Sequence, residues 1–181
     1  NTKLLEYTVY GESLGASAAA TNHRGQVFQQ YDGAGLSATI AFDFKGNLLQ
    51  GKRQFATEYK QSPDWSTLGS LTDPVQLATA SAFLLETESF TTKMTYDALG
   101  RANTQETPDA SVTRYQYNEA NLLNSVDVQI RGEVDGSNDP VWTSIISNID
   151  YDAKGQRERC TRGNGVETSY TYDSQSYRLT R

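Results

Sequence analysis

The chain has one cysteine, Cys160, and one histidine, His23, in 181 residues. A lone cysteine cannot form an internal disulfide, and one His with one Cys cannot supply the ligands of an ordinary zinc site. The missing partner leaves the redox compartment open, because stacked repeats need no covalent staples. Cys160 lies between Arg159 and Arg162, cations that favour a thiolate, but no base accompanies it and no nucleophile is expected. His23 reads as an ordinary turn residue before Arg24-Gly25. No apolar run reaches the 18 residues of a membrane span, and no signal peptide is recognisable. Asn1 is not an initiating Met, so a cut or trimmed N-terminus is expected. Runs of Lys or Arg are absent, the net charge is −6 and the pI is about 4.8. Nucleic acid and anionic membranes need a basic surface, so neither is an expected partner, and no membrane insertion is expected. Leu, Ile, Val and Phe make up only about 19% of the chain, close to the range of disordered sequences. Eleven Tyr and two Trp add aromatic area, and the reading is an ordered but thin structure, a curved sheet with one polar face.

What is present is a recurring phrase, Tyr-Asp-x-x-Gly-x. Clear copies begin at Tyr31, Tyr96 and Tyr151, and weaker ones at Phe42, Tyr117 and Tyr172. Tyr96 to Tyr117 and Tyr151 to Tyr172 are both 21 residues, and Thr21-Asn22-His23-Arg24-Gly25 precedes the Phe42 copy by the same 21. A fixed period of this size marks a repeat architecture, here one array over residues 1–181. A second turn signal, Pro108-Asp109-Ala110 or Gly163-Asn164-Gly165, begins 11 residues after Asp97 or Asp152. One repeat is therefore strand, turn, strand, turn, and the fold class is all-β, an antiparallel hairpin array.

The residue types explain the turns. Asp32, Asp97, Asp152 and Asp173 can accept bonds from backbone N–H groups two residues on, and Gly35, Gly46, Gly100 and Gly155 can adopt positive φ. This is the chemistry of a type I turn closed by a glycine bulge. In the Tyr117 copy Asn118 replaces the acid and Asn121 replaces the glycine, and Asn is the next best left-handed residue. The Tyr172 copy has Ser176 at the glycine position, which predicts a different turn or a frayed end. Alternation places Leu36, Ala38, Ile40 and Phe42 on one face, Leu122, Val126, Val128 and Ile130 on another, and Val166, Thr168, Tyr170 and Tyr172 on a third. The repeat tyrosines are expected to stack across strands.

Residues 57–89 carry no repeat phrase and read as an insertion. Within it Asp73-Pro74 is a helix start, so residues 73–86 read either as a short helix or as an extended insertion. Gly132 to Pro140 reads as an exposed turn. Paired carboxylates of a glycosidase need a fixed separation across a sugar, whereas these Asp residues repeat at equivalent turn positions. Calcium at Asp43 and Asp150 would need a denser acidic loop. No enzyme activity, catalytic residue, metal or cofactor is expected. The rival reading is carbohydrate binding through Trp65 and Trp142, which lie outside the repeat phrases where packing does not obviously need them.

Longer phrases carry a family resemblance. They are Arg24-Gly25-Gln26-Val27 before Tyr31-Asp32, Phe42-Asp43-Phe44-Lys45-Gly46-Asn47-Leu48, Pro63-Asp64-Trp65-Ser66, and Tyr117-Asn118-Glu119-Ala120-Asn121-Leu122-Leu123. Residues 96–101, 148–156 and Gly163-Asn164-Gly165-Val166 extend them. The chain resembles the RHS or YD-repeat family, above all the repeat region of the B and C components of insecticidal toxin complexes. The resemblance implies a segment of an RHS shell, a secreted or extracellular setting, and an enclosed toxic polypeptide as cargo. It implies the remainder of the shell or other toxin-complex subunits as partners, with glycans as the alternative. Two departures accompany it: the family's shells are several times longer, and its self-cleaving module has no counterpart around Asp73-Pro74 or Asp139-Pro140.

Overall fold

A computed structural model describes residues 2–181. The fold is all-β and antiparallel, and it packs as two compact units, one ending at Met94 and one running from Thr95 to Arg181.

The first unit contains β1 (Tyr7–Tyr10), β2 (Val27–Asp32), β3 (Gly35–Phe42), β4 (Leu48–Phe55) and most of β5 (Phe90–Tyr96). Each strand pairs antiparallel with the next, as hairpin connections dictate. A short helix, α1 (Ser17–Ala20), lies between β1 and β2. The insertion between β4 and β5 contains a short helix, α2 (Pro74–Ser81), with Asp73 as its cap. The Asp73 carboxylate accepts from the N–H groups of Val75 and Gln76 at 3.0 and 2.9 Å, and Pro74 occupies the first turn, where no N–H is needed. Trp65, Leu68, Leu77 and Leu85 of the insertion pack on Val9, Tyr31 and Leu36 of the strands. The non-repeat segment thus supplies half of a real core. An uninterrupted hairpin sheet of this composition could not have built one, because half of each strand faces water.

The second unit contains β6 (Ala102–Glu106), β7 (Val112–Tyr117), β8 (Leu123–Gln129), β9 (Thr143–Tyr151), β10 (Arg157–Arg162) and β11 (Glu167–Ser169), paired antiparallel in chain order. Here the thin reading holds, and only Ser125, Ile149 and Cys160 are buried. Ion pairs join neighbouring strands, Arg114 with Asp127 at 3.0 Å and Arg159 with Asp150 at 2.9 Å.

Strand patterning is followed where the ladder is regular. Thr168, Tyr170 and Tyr172 are half-buried while Glu167, Ser169 and Thr171 are exposed. Val166 departs from that face and is exposed, since it lies in the turn before β11 begins at Glu167. Ile40 departs from its expected face and is exposed, because β3 shifts register between Thr39 and Ala41 and the extra residue bulges outward. Ile130 departs because β8 ends at Gln129 and Ile130 opens a 3-10 turn.

Candidate functional site

The repeated phrase is the chemically distinctive part of the chain, and the structure shows what each of its residues does. At Asp43, Asp97, Asn118 and Asp152 the backbone N–H donates to the carbonyl four residues on, at 2.9 to 3.0 Å, closing the turn. The N–H of the residue three on returns to the Asp or Asn carbonyl. That residue is left-handed in every case, with φ of 85° at Gly46, 81° at Gly100, 65° at Asn121 and 78° at Gly155. The acid Oδ1 then bridges two N–H groups, those of Leu99 and Arg101 for Asp97 and those of Lys154 and Gln156 for Asp152. The type I turn with a bulge is therefore built as its residue types dictate.

The same turn recurs at Thr107, Asp135 and Arg162, with Ala110, Asn138 and Gly165 at the left-handed position. Asp135 was not singled out above, although its Asp-x-x-Asn spelling parallels Asn118 and Asn121. Two copies differ. Asp32 pairs directly with Gly35 across a two-residue turn, and its carboxylate grips the Arg53 guanidinium with bonds of 2.7 and 2.8 Å. Asp173 closes a turn one residue longer, in which Tyr177 takes the left-handed conformation with φ 56°.

Tyr31 meets the Tyr7 ring across β1 and β2, with ring centres 6.4 Å apart. In the second unit each of three tyrosine hydroxyls donates to a backbone carbonyl of the preceding repeat: Tyr117 to Ala102 at 2.9 Å, Tyr151 to Leu123 at 2.7 Å, and Tyr172 to Arg157 at 3.0 Å. Ala102, Leu123 and Arg157 occupy one equivalent position, the fifth residue after Asp97, Asn118 and Asp152 respectively. The ring spans the sheet and its hydroxyl brackets one repeat to the one before. Burial pushes the Tyr117 phenol above its usual range, which keeps the proton on the donor. Tyr117→Phe or Tyr151→Phe is expected to cost about 1 kcal/mol each, because a carbonyl loses its donor. Urea titration of the single variants checks this, and unchanged midpoints would remove the bracket's role. Tyr31 differs again, being fully buried in the first unit's core.

Two turn acids, Asp97 and Asp109, are held ionised by their donors. The backbone N–H of Arg101 and its guanidinium keep Asp97 below the usual carboxylate range. The hydroxyls of Thr107 and Ser111 bring Asp109 down from 3.8 to about 2. A carboxylate whose folded pKa is depressed contributes stability above its unfolded pKa and loses it as pH falls through the folded value. Melting temperature is therefore expected to fall between about pH 4 and about pH 2. Asp109→Asn should reduce that slope, and an identical profile in the variant would disprove the linkage.

The other singled-out residues are placed as follows. Trp65 is fully buried, its indole N–H donates to the Asp32 carbonyl at 3.1 Å, and its ring lies 5.0 Å from that of Tyr31. It is a core residue and presents no surface for a sugar. Trp142 is half-buried, with the Arg114 guanidinium 4.1 Å from its ring centre. His23 is also fully buried rather than an open turn residue. Its Nε2 donates to the Thr39 carbonyl at 3.0 Å, its Nδ1 meets the Thr21 hydroxyl at 2.7 Å, and the Phe28 and Phe42 rings flank it. Only spatial neighbours create that environment, and nothing adjacent in sequence announced it. Cys160 is buried opposite Ile149 and Thr168. Among the described residues no group of three or more His, Cys, Asp or Glu could hold a metal ion, and no helix is long and apolar enough to cross a membrane.

No protein-family model matches the chain. Among curated proteins it is 28% identical over 170 residues to toxin subunit YenC1 of Yersinia entomophaga, covering 94% of this chain and 16% of that protein. It is 29% identical over 182 residues to toxin subunit YenC2 of the same organism, covering 99% of this chain and 17% of that protein. Among solved structures it is similar to the TcdB2-TccC3 crystal structure, with 25% identity, a TM-score of 0.81 and coverage of 99% of this chain and 8% of that one. The Photorhabdus luminescens Tc holotoxin pore matches with a TM-score of 0.83 at the same identity and coverage. The chain is similar in sequence to these toxin subunits and in structure to the TcdB2-TccC3 RHS shell. The chain spans about a sixth of the length of the curated relatives it matches. The two letters of the repeat correspond to two separate devices, a tyrosine bracket between repeats and an aspartate turn within one.

Proposed function

We propose that this chain is a structural segment of an RHS-repeat shell that encloses a toxic polypeptide within a secreted toxin complex. It has no catalytic role of its own, and its partners are the neighbouring repeats of the shell, other toxin-complex subunits and the enclosed cargo. The observation that carries the reading is the bracket from Tyr117, Tyr151 and Tyr172 to the repeat before each, combined with turns that occupy the repeat acids. Such a design extends a wall by adding equivalent units. The kinship with toxin subunits YenC1 and YenC2 and the likeness to TcdB2-TccC3 support a toxin-complex component. Carbohydrate binding gains no support from Trp65, which is buried.

A chimera tests the proposal. The aligned segment of YenC1 is replaced by this chain, and protease resistance of the polypeptide carried by the subunit is measured. The expected result is protection equal to that of the parent subunit. A chimera that folds but leaves that polypeptide as sensitive as the free form would overturn the reading.

A further inference from the structure

The insertion does more than complete the core. With the tip of the β2–β3 hairpin it walls a pocket of about 400 Å³ that no repeat residue type accounts for. Gly33, Ala34, Phe55, Ala56, Glu58, Tyr59 and Glu86 line it. The lining is pinned by backbone bonds. The Ala56 N–H donates to the Ala34 carbonyl at 3.0 Å, the Glu86 N–H donates to the Phe55 carbonyl at 2.8 Å, and Ala56 bridges Leu85. The site is therefore held in shape by the hairpin and by both ends of the insertion.

Both charged residues of the lining, Glu58 and Glu86, are acidic. Neither the Glu58 nor the Glu86 carboxylate forms an ion pair with a Lys or Arg. Glu58 accepts only the N–H of Lys60, at 2.7 Å, and Glu86 engages its neighbours through its backbone, accepting from the Gln54 amide at 2.7 Å. Two aromatic residues, Phe55 at 43% and Tyr59 at 86% exposure, line the same pocket. Both rings already attract cations. The Arg53 guanidinium lies 5.8 Å from the Phe55 ring centre, and the Lys60 ammonium lies 5.6 Å from that of Tyr59. Aromatic faces and carboxylates around one cavity select an organic cation over an anion, and over a small metal ion that would demand more oxygen ligands. The volume falls within the range of small-molecule sites.

We propose that this pocket binds a single organic cation, a quaternary ammonium or a guanidinium group. The cation sits between the Phe55 and Tyr59 rings with Glu58 and Glu86 as counter-charges, and Lys60 gives way at the mouth. The shared chemistry has two sources, a free small ammonium compound or an arginine side chain of a polypeptide, and the experiment separates them. This site is independent of the shell reading, since a wall segment needs no such pocket.

The test is calorimetric titration of the 181-residue chain with choline and with argininamide at constant ionic strength. Their neutral counterparts, 3,3-dimethylbutanol and citrulline amide, serve as controls. Saturable binding of at least one cation is expected, about fivefold or more tighter than its neutral counterpart. Choline alone assigns the small-molecule source and argininamide alone the polypeptide source. Glu86→Gln and Tyr59→Ala should each weaken binding about fivefold or more. Both positions are exposed, so circular dichroism should show an unchanged fold. Absence of saturable binding by either cation, equal binding of the neutral compounds, or indifference of both folded variants overturns the proposal.

Discussion

Gly35→Val is expected to unfold the first unit under conditions where the parent chain is intact. Gly35 has a φ of 135°, a conformation that a β-branched residue resists. It is also buried at the point where β3 crosses β4, opposite Phe55. A Cβ there would be driven into the Gln54 carbonyl oxygen, with the Ala56 nitrogen and the Phe55 carbonyl carbon close behind. These are backbone atoms of a paired strand and cannot rotate away. Conformational strain and the clash together are expected to cost about 4 kcal/mol or more. Gly155→Val provides the control, since its Cβ would meet only the Leu122 side chain at 3.6 Å and the cost reduces to φ 78°. That cost is about 1 to 2 kcal/mol. Thermal melting followed by tryptophan fluorescence distinguishes the two. Equal effects would mean that the close approach of β4 to Gly35 is not a feature of the molecule.

Trp65→Ala is expected to be nearly as damaging, at about 3 to 5 kcal/mol, because the largest fully buried side chain of the core is removed. The Asp32 carbonyl also loses its indole donor, and Tyr31 loses the ring against which it packs. Asp32 anchors Arg53, so the loss reaches the first hairpin and the insertion together. Trp65→Phe retains most of the apolar volume and is expected to cost about 1 to 3 kcal/mol, chiefly for the orphaned carbonyl. Trp142→Ala, at a half-buried site, should cost less than Trp65→Ala. Urea denaturation of the three variants checks the order. A Trp65→Ala protein as stable as Trp142→Ala would remove Trp65 from the core and reopen a surface role for it.

These two residues mark the boundary of what can be read from the linear chain. The Asp97, Asn118 and Asp152 turns were legible because their determinants lie within five residues: a side-chain acceptor, two N–H groups and one left-handed position. The cap of α2 was legible for the same reason, Asp73, Pro74 and the first helical N–H groups being adjacent. Period and turn chemistry together dictate an antiparallel hairpin array. Trp65 and His23 were not legible. Trp65 is buried by Tyr31 and bonded to Asp32, 33 residues away, and His23 is bonded to Thr39, 16 residues away. The insertion's place in the core and the pocket at its rim arise in the same way, from segments the hairpins bring together. Local hydrogen bonds carry their own spelling, whereas burial belongs to no single segment and exists only after distant segments pack.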